Sequence, residues 1–266
     1  MIKINGTEIK QNHFPDNTLL VKAETHPYEV SWIEWNYEND AELFTLICLV
    51  KHYHAHTNSN KKIDLYLPYC PHARMDRVKN LEDVFTLKYF AEVINSLNFN
   101  KVVLFDVHSN VAPALINRCV VEQPDKAIKS AIEQSGAEAI CYPDEGAMKR
   151  YSSMAPLSYA FCIKKRDWET GKILGLDLIN PEAIKDKNVL IVDDICSRGG
   201  TFYYTAKALK EAGAKSVSLY VSHLEETVFD GELYKEMYNN GLIKKIYTTN
   251  SIYNYIDPNI VVVSNV

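Results

Sequence analysis

Two adjacent carboxylates and two adjacent glycines share one short stretch, Val189 to Thr201, which reads VLIVDDICSRGGT. The order is a buried strand, an acid pair (Asp193 and Asp194), a glycine-containing turn and a helix. Carboxylates at the carboxyl end of a strand lie where open α/β sheets bind ligands. Backbone N–H groups of Gly199, Gly200 and Thr201 at a helix start make an anion site. One end of the segment therefore takes hydroxyl donors or a metal, and the other takes a phosphate. A sugar phosphate carries both groups close together. The competing structural reading is a loop whose acids cap the helix and whose glycines make a tight turn. The coincidence of strand, acids, glycines and helix favours the ligand site. Neither G-x-x-x-x-G-K-[ST] nor G-x-G-x-x-G occurs, so this is not a nucleotide P-loop.

The elements that must position this segment alternate along the chain. Asp40 to His56 has helical spacing through Leu43, Phe44, Leu46, Ile47 and Val50, with Asp40 as its N-cap. Ile63 to Leu67 alternates like a strand, Leu81 to Leu97 returns to the helical period, and Lys101 to Phe105 is a run of β-formers. In the second half, helices are expected at Lys126 to Gln134, Glu145 to Ser152 and Gly200 to Ala212. Strands are expected at Ala139 to Tyr142, Tyr159 to Ile163, Ile173 to Leu178, Asn188 to Val192 and Ser216 to Val221. Such alternation predicts parallel α/β units. Two units are expected, residues 1–130 and 131–266, without a Gly/Ser linker between them.

The acid–glycine segment resembles the phosphoribosyl-diphosphate binding motif of type I phosphoribosyltransferases and ribose-phosphate diphosphokinases. Three more segments select the diphosphokinases, also called phosphoribosyl-diphosphate synthetases. Leu67 to Arg77 (LPYCPHARMDR) resembles their Pro-Tyr followed by Ala-Arg-Gln-Asp-Arg; Phe105 to His108 resembles their Asp-Leu-His; Tyr142 to Gly146 resembles their Pro-Asp-x-Gly-Gly. All four stand in the family's order. The resemblance implies an α/β chain of two phosphoribosyltransferase type I-like halves, each a mainly parallel sheet flanked by helices. The active site would lie at their junction, with the amino-terminal half binding ATP. The implied reaction moves the terminal diphosphoryl group of ATP to the anomeric hydroxyl of ribose 5-phosphate and releases AMP, a reaction that depends chiefly on positioning and charge stabilisation.

The same resemblance implies the site residues. Arg74, with Met75 and Asp76, contacts ATP, and Phe14 and Asp16 of a neighbouring subunit cover its adenine in a homo-oligomer. His108 and Asp144 help hold Mg²⁺ with the phosphates, a hard cation that keeps few protein ligands. Asp193 and Asp194 take the ribose hydroxyls, and Ser197, Arg198, Gly199, Gly200 and Thr201 take the 5-phosphate. Lys164-Lys165-Arg166-Asp167 resembles the start of a mobile catalytic loop running through Trp168 and Gly171 to Gly175. Lys165 and Arg166, with His108, are the catalytic candidates; the competing reading of the loop is a basic hairpin tip in solvent.

Several positions depart from the pattern. Asp167 replaces an arginine, Met75 replaces a glutamine, and Phe14-Pro15-Asp16-Asn17-Thr18 lacks an acid of the family's Phe-x-Asp-x-Glu. Ser197-Arg198 stands where Asp-Thr or Ser-Thr is usual, and the chain ends just after its last strand. A guanidinium at Arg198 could grip a second phosphate bidentately, which suits ADP-ribose as acceptor in a NAD-rebuilding route; it could equally pair with a surface acid. Two further alternatives stay open: an inactive regulatory homologue, and a type I phosphoribosyltransferase, for which the Arg74 and His108 segments would be idle.

Composition sets the outer bounds. The 266 residues carry 29 Lys+Arg and 34 Asp+Glu, a formal charge of −5, with 47% hydrophobic and 24% charged residues. That excludes a disordered chain and argues against a nucleic-acid partner. No apolar stretch is long enough to span a membrane, and Met1 to Gly6 lacks a secretory plan. Six cysteines without a C-x-x-C pair predict buried thiols and a cytoplasmic protein, in which Asn5-Gly6-Thr7 is a turn rather than a glycosylation site. His52, His54 and His56 alternate near a helix end, where they either crowd the helix terminus or offer a zinc pair at His52 and His56. Trp32 and Trp35 are expected in a core or interface, and Ser222-His223 resembles the family's Thr-His without a catalytic role.

Overall fold

Strands made of unbroken Val, Ile and Leu need cover on both faces, and helices supply it on both faces of the sheet in the second half of the chain and on one face in the first. A computed structural model describes residues 1–57, 62–166 and 173–266 as two units, Met1–Gln123 and Pro124–Val266. A helix, Asp125–Ser135, spans the boundary expected near residue 130 and lies in the second unit.

The first unit runs β1 (Ile2–Ile4), β2 (Thr7–Glu8), β3 (Gln11–His13), β4 (Leu19–Val21), β5 (Trp32–Trp35), α1 (Ala41–His56), β6 (Asp64–Leu67), α2 (Thr86–Ser96), β7 (Lys101–Phe105), α3 (Val111–Leu115) and β8 (Cys119–Glu122). Its main sheet has the order β2-β1-β5-β6-β7-β8. β5 through β8 are parallel and β1 joins antiparallel, while β3 and β4 form a separate hairpin. Glu42 is a buried anchor: its carboxylate accepts from the Met1 amine, the Trp35 indole N–H (2.8 Å) and the Glu38 backbone N–H (2.9 Å). Burying that charge among three donors satisfies its lone pairs and ties α1 to the sheet edge.

The second unit runs α4 (Asp125–Ser135), β9 (Ala139–Tyr142), α5 (Glu145–Tyr151), β10 (Ser158–Arg166), β11 (Ile173–Ile179), β12 (Asn188–Cys196), α6 (Gly200–Glu211), β13 (Ser216–Leu224), α7 (Glu232–Asn240), β14 (Ile246–Thr249) and β15 (Ile260–Ser264). The strand order is β11-β10-β9-β12-β13-β14-β15, parallel except for the β10–β11 pair. Side chains alternate across the sheet. Val189 and Ile191 pack with Phe202, Ala206 and Leu209 of α6; Leu190 and Val192 pack with Ile128 and Ala131 of α4 and Tyr151 of α5. Both faces are thus dry. The fold is α/β, two mainly parallel sheets flanked by helices.

Four expectations need correction. The helix expected over Leu81 to Leu97 begins only at Thr86, and Leu81 (96% exposed) and Val84 (58%) face solvent from a loop. Asp40 holds the N-cap position of α1 as expected, but its side chain does not cap the helix; Asn39 Oδ1 accepts from the Ala41 N–H at 3.0 Å, and Asp40 instead meets Tyr37 and His72. The strand expected to stop at Val192 continues to Cys196, so the acid pair belongs to it. The β1–β5 strands and β8 were not expected at all; two to four residues carry too little periodicity to register. The cysteines are free thiols, and burial pushes Cys70 up to about 12, which suits packing and not redox chemistry. Among the described residues no helix is long and apolar enough to cross a membrane.

Candidate active site

In the second unit, parallel pairing aligns the ends of β12 and β13, with Asp193 beside Val221 and Cys196 beside Leu224. Strand alternation carries Asp194 to the face that α4 and α5 cover, where it is 4% exposed. Asp193 Oδ1 accepts from the Asp194 N–H at 2.9 Å. Burial first, then the neighbouring charges of Asp194 and Asp144, push the Asp193 carboxyl well above the usual carboxylate range. Crowded acids of this kind either share a proton or await a donor or cation.

The turn that follows is shaped for close approach. Gly199 has φ +76°, and a Cβ there would lie 2.6 Å from Leu233 Cδ2, so only glycine fits. Gly231 backs the same turn: its Cβ would come within 1.9 Å of the Arg198 carbonyl oxygen. No side chain caps α6, whose first amides and positive dipole end therefore suit an anion. Ser197 and Thr201 are half-buried, and Gly200 and Arg198 are exposed. Among the described residues no ion pair engages Arg198.

Asp144 opens α5 and accepts from the Ala147 N–H at 3.0 Å. At the other end of that helix, Arg150 Nη1 lies 3.1 Å from Asp194 Oδ2. Sequence reasoning missed Arg150, although it stands one helix length beyond Asp144; nothing in local spacing names its partner. Lys165 and Arg166 end β10, where the backbone pairs Lys165 with Gly175 and Arg166 with Ile173. Trp168 and Gly171 of the expected loop lie outside the described residues.

In the first unit, Leu67–Arg77 and Phe105–His108 follow neighbouring parallel strands, β6 and β7. The structure brings these two segments together. Asp76 is 7% exposed and accepts from Arg77 Nε at 2.7 Å. Its carboxyl is held below the usual range by that bond, then by a Ser109 hydrogen bond and by the charges of Arg77 and His108. Arg74 is exposed and Met75 half-buried beside it. Strain marks both loops, since His72 has φ +62° and Asp106 φ +39°. Phe14 and Asp16 are elsewhere, at the tip of the β3–β4 hairpin. Phe14 is 50% exposed, and Asp16 accepts from the Thr18 N–H (3.0 Å) and hydroxyl (2.7 Å), which lowers its pKa.

The His52 and His56 rings lie with centroids 4.2 Å apart, tilted 46° to each other, and a hydrogen-bonding contact joins His56 Nδ1 to the His52 carbonyl at 2.8 Å. Among the described residues no three His, Cys, Asp or Glu side chains cluster as a ready metal site. A divalent cation would depend on oxygens supplied by substrate. The hard carboxylate oxygens of Asp144 fit Mg²⁺ in that role.

The family model for the phosphoribosyl transferase domain matches residues 148–249. A ribose-phosphate pyrophosphokinase of Sulfurisphaera tokodaii is 26% identical over 260 residues, covering 95% of this chain and 87% of that enzyme. Another, from Mycoplasma pneumoniae, is 30% identical over 208 residues, 73% of this chain, and is itself covered over 60% of its length. The crystal structure of phosphoribosylpyrophosphate synthetase from Mycobacterium smegmatis matches with a TM-score of 0.78 at 17% identity, over 97% of this chain and 86% of that one. The likeness to that structure is one of fold. The resemblance carried by the four motifs is borne out.

Proposed function

We propose that this relative of the ribose-phosphate pyrophosphokinases is a diphosphotransferase that moves the terminal diphosphoryl group of ATP to the anomeric hydroxyl of ribose 5-phosphate, with Mg²⁺. The anomeric oxygen bonds to the β-phosphorus of ATP, the bond from that phosphorus to the AMP oxygen breaks, and phosphoribosyl diphosphate and AMP result. The observation that carries this reading is the acid pair on β12, Asp194 buried and Asp193 half-buried beside it, running directly into the start of α6, which no side chain caps.

The chain's residues divide the work by chemistry. Asp193 and Asp194 accept hydrogen bonds from the pentose hydroxyls, and the amides of Gly199, Gly200 and Thr201, with Ser197, hold the 5-phosphate. Arg74 meets ATP, beside Met75 and the Asp76–His108 pair. Lys165 and Arg166 supply positive charge to the moving diphosphoryl group, the contribution such reactions need most. Asp144 and His108 are the groups that would hold Mg²⁺, which when bound neutralises phosphate charge. The exposed Phe14 supports a hairpin that covers the adenine bound by another copy in a homo-oligomer. The protein would work in the cytoplasm, on small molecules.

An exposed Arg198 without an ion-pair partner among the described residues supports a second reading, with ADP-ribose as acceptor. Its second phosphate would meet that guanidinium. One panel separates the two: ATP and Mg²⁺ with each acceptor, scored for AMP release. Turnover with ribose 5-phosphate is the expected result. Turnover with ADP-ribose alone makes the second reading correct, and none with either, in a folded protein, leaves a binding homologue.

A further inference from the structure

Arg150 lies outside the four motifs, yet it holds the acid on which the sugar reading depends. It occupies the last turn of α5, on the sheet face to which Asp194 points. The contact between Arg150 Nη1 and Asp194 Oδ2 is 3.1 Å, with side-chain exposures of 26% and 5%. The guanidinium is fixed a second time by Tyr151: it sits 5.3 Å from the centroid of that ring and donates to the phenol oxygen at 3.2 Å. Tyr151 is itself fully buried. A partly buried cation anchored by a rigid ring differs from a mobile surface lysine; the geometry of its carboxylate partner is set in advance.

Asp194 needs such a partner. It is buried, adjoins Asp193, and Asp144 is close enough for its charge to act on the same pair. Uncompensated, negative charges so close would favour proton sharing or a turned-away rotamer. A carboxylate offers about four acceptor positions, so a guanidinium and a sugar hydroxyl can use it together. We infer that Arg150 is a positioning residue for the pentose site, a conclusion that rests on the diphosphotransferase reading: it fixes the Asp194 carboxylate in the orientation that receives a ribose hydroxyl. Arg150 itself touches neither the sugar nor the reacting phosphorus.

The experiment compares wild type, Arg150→Met, Arg150→Lys and Tyr151→Phe by calorimetric binding of ribose 5-phosphate and by steady-state kinetics with ATP and Mg²⁺. Arg150→Met should weaken ribose 5-phosphate binding at least about tenfold, raise the KM for that substrate in step, and leave the KM for ATP unchanged. Arg150→Lys should recover part of the affinity, and Tyr151→Phe should lose less than Arg150→Met. A purely structural role would lower melting temperature and kcat without this split between substrates. If Arg150→Met fails to fold, the Lys and Tyr151→Phe variants carry the comparison, since both preserve a cation. Wild-type binding of ribose 5-phosphate that Arg150→Met leaves unaltered, or that Tyr151→Phe and Arg150→Lys both leave unaltered where Arg150→Met does not fold, overturns the inference alone. No binding by the wild type overturns the diphosphotransferase reading and the inference with it.

Discussion

The two units place their candidate residues at the same kind of position, the carboxyl ends of parallel strands, but they build it differently. In the second unit the acids are part of a regular strand, Asp194 buried and Asp193 half-buried, and the proposed anion site is the start of α6. In the first, the candidate residues sit on loops with left-handed residues at His72 and Asp106, and the guanidinium that would meet ATP is exposed. The end of a central strand fixes a rigid, small ligand; strained loops suit a long one that contributes much of its own order. The contrast teaches that substitutions in the second unit should act on sugar binding and stability together, and those in the first on nucleotide affinity alone.

The largest effect should come from removing the acids proposed to hold the sugar. Asp193→Asn combined with Asp194→Asn should cut AMP release by about 10³-fold, the scale of lost preorganised electrostatics, with the fold retained by circular dichroism. Survival of activity would place the pentose elsewhere. Next, Gly231→Ala should drive a methyl group into the Arg198 carbonyl and cost about 1–3 kcal/mol of stability in urea unfolding, as overpacking does, while raising the KM for ribose 5-phosphate. An unchanged unfolding midpoint would mean the turn behind Arg198 is not tightly held. In the first unit, Arg74→Ala should raise the KM for ATP roughly tenfold, the worth of one charge-assisted contact, without changing melting temperature or the sugar KM. A shift in the sugar KM would erase the contrast between the units.

The sequence disclosed these regions unequally. Asn188–Thr201 was legible because a doubly covered parallel strand is one continuous apolar run, and an acid pair and two glycines interrupt it at its end. Even there, strand pairing with β13 carried the ladder past the acids to Cys196, which composition alone does not show. Leu81 and Val84 misled because they keep helical spacing inside a loop, where nothing packs on them. At Asp16 the carboxylate accepts from Thr18 in a local turn, a contact that spacing alone does not announce. Arg150 was invisible for a different reason: its partner Asp194 is distant in sequence, and only packing of α5 on β12 brings them together.

The smallest expected effect is in pH dependence. The Asp193 pKa is raised in the folded chain by burial and by Asp194 and Asp144, above about 3.9 for an unfolded carboxyl. Between those two values the folded state binds more protons than the unfolded state. Asp193 therefore stabilises the fold at low pH, and that contribution is lost as pH rises through the folded value. Asp193→Asn should flatten this part of the stability profile measured by urea unfolding across pH; a slope equal to wild type would mean Asp193 titrates normally.

Most direct of all is a crystal structure of the chain with ribose 5-phosphate bound. The account predicts ring hydroxyls within hydrogen-bonding distance of the Asp193 and Asp194 carboxylates, and the phosphate oxygens on the amides of Gly199, Gly200 and Thr201. A sugar seated away from β12, or a phosphate that leaves the start of α6 empty, would contradict it.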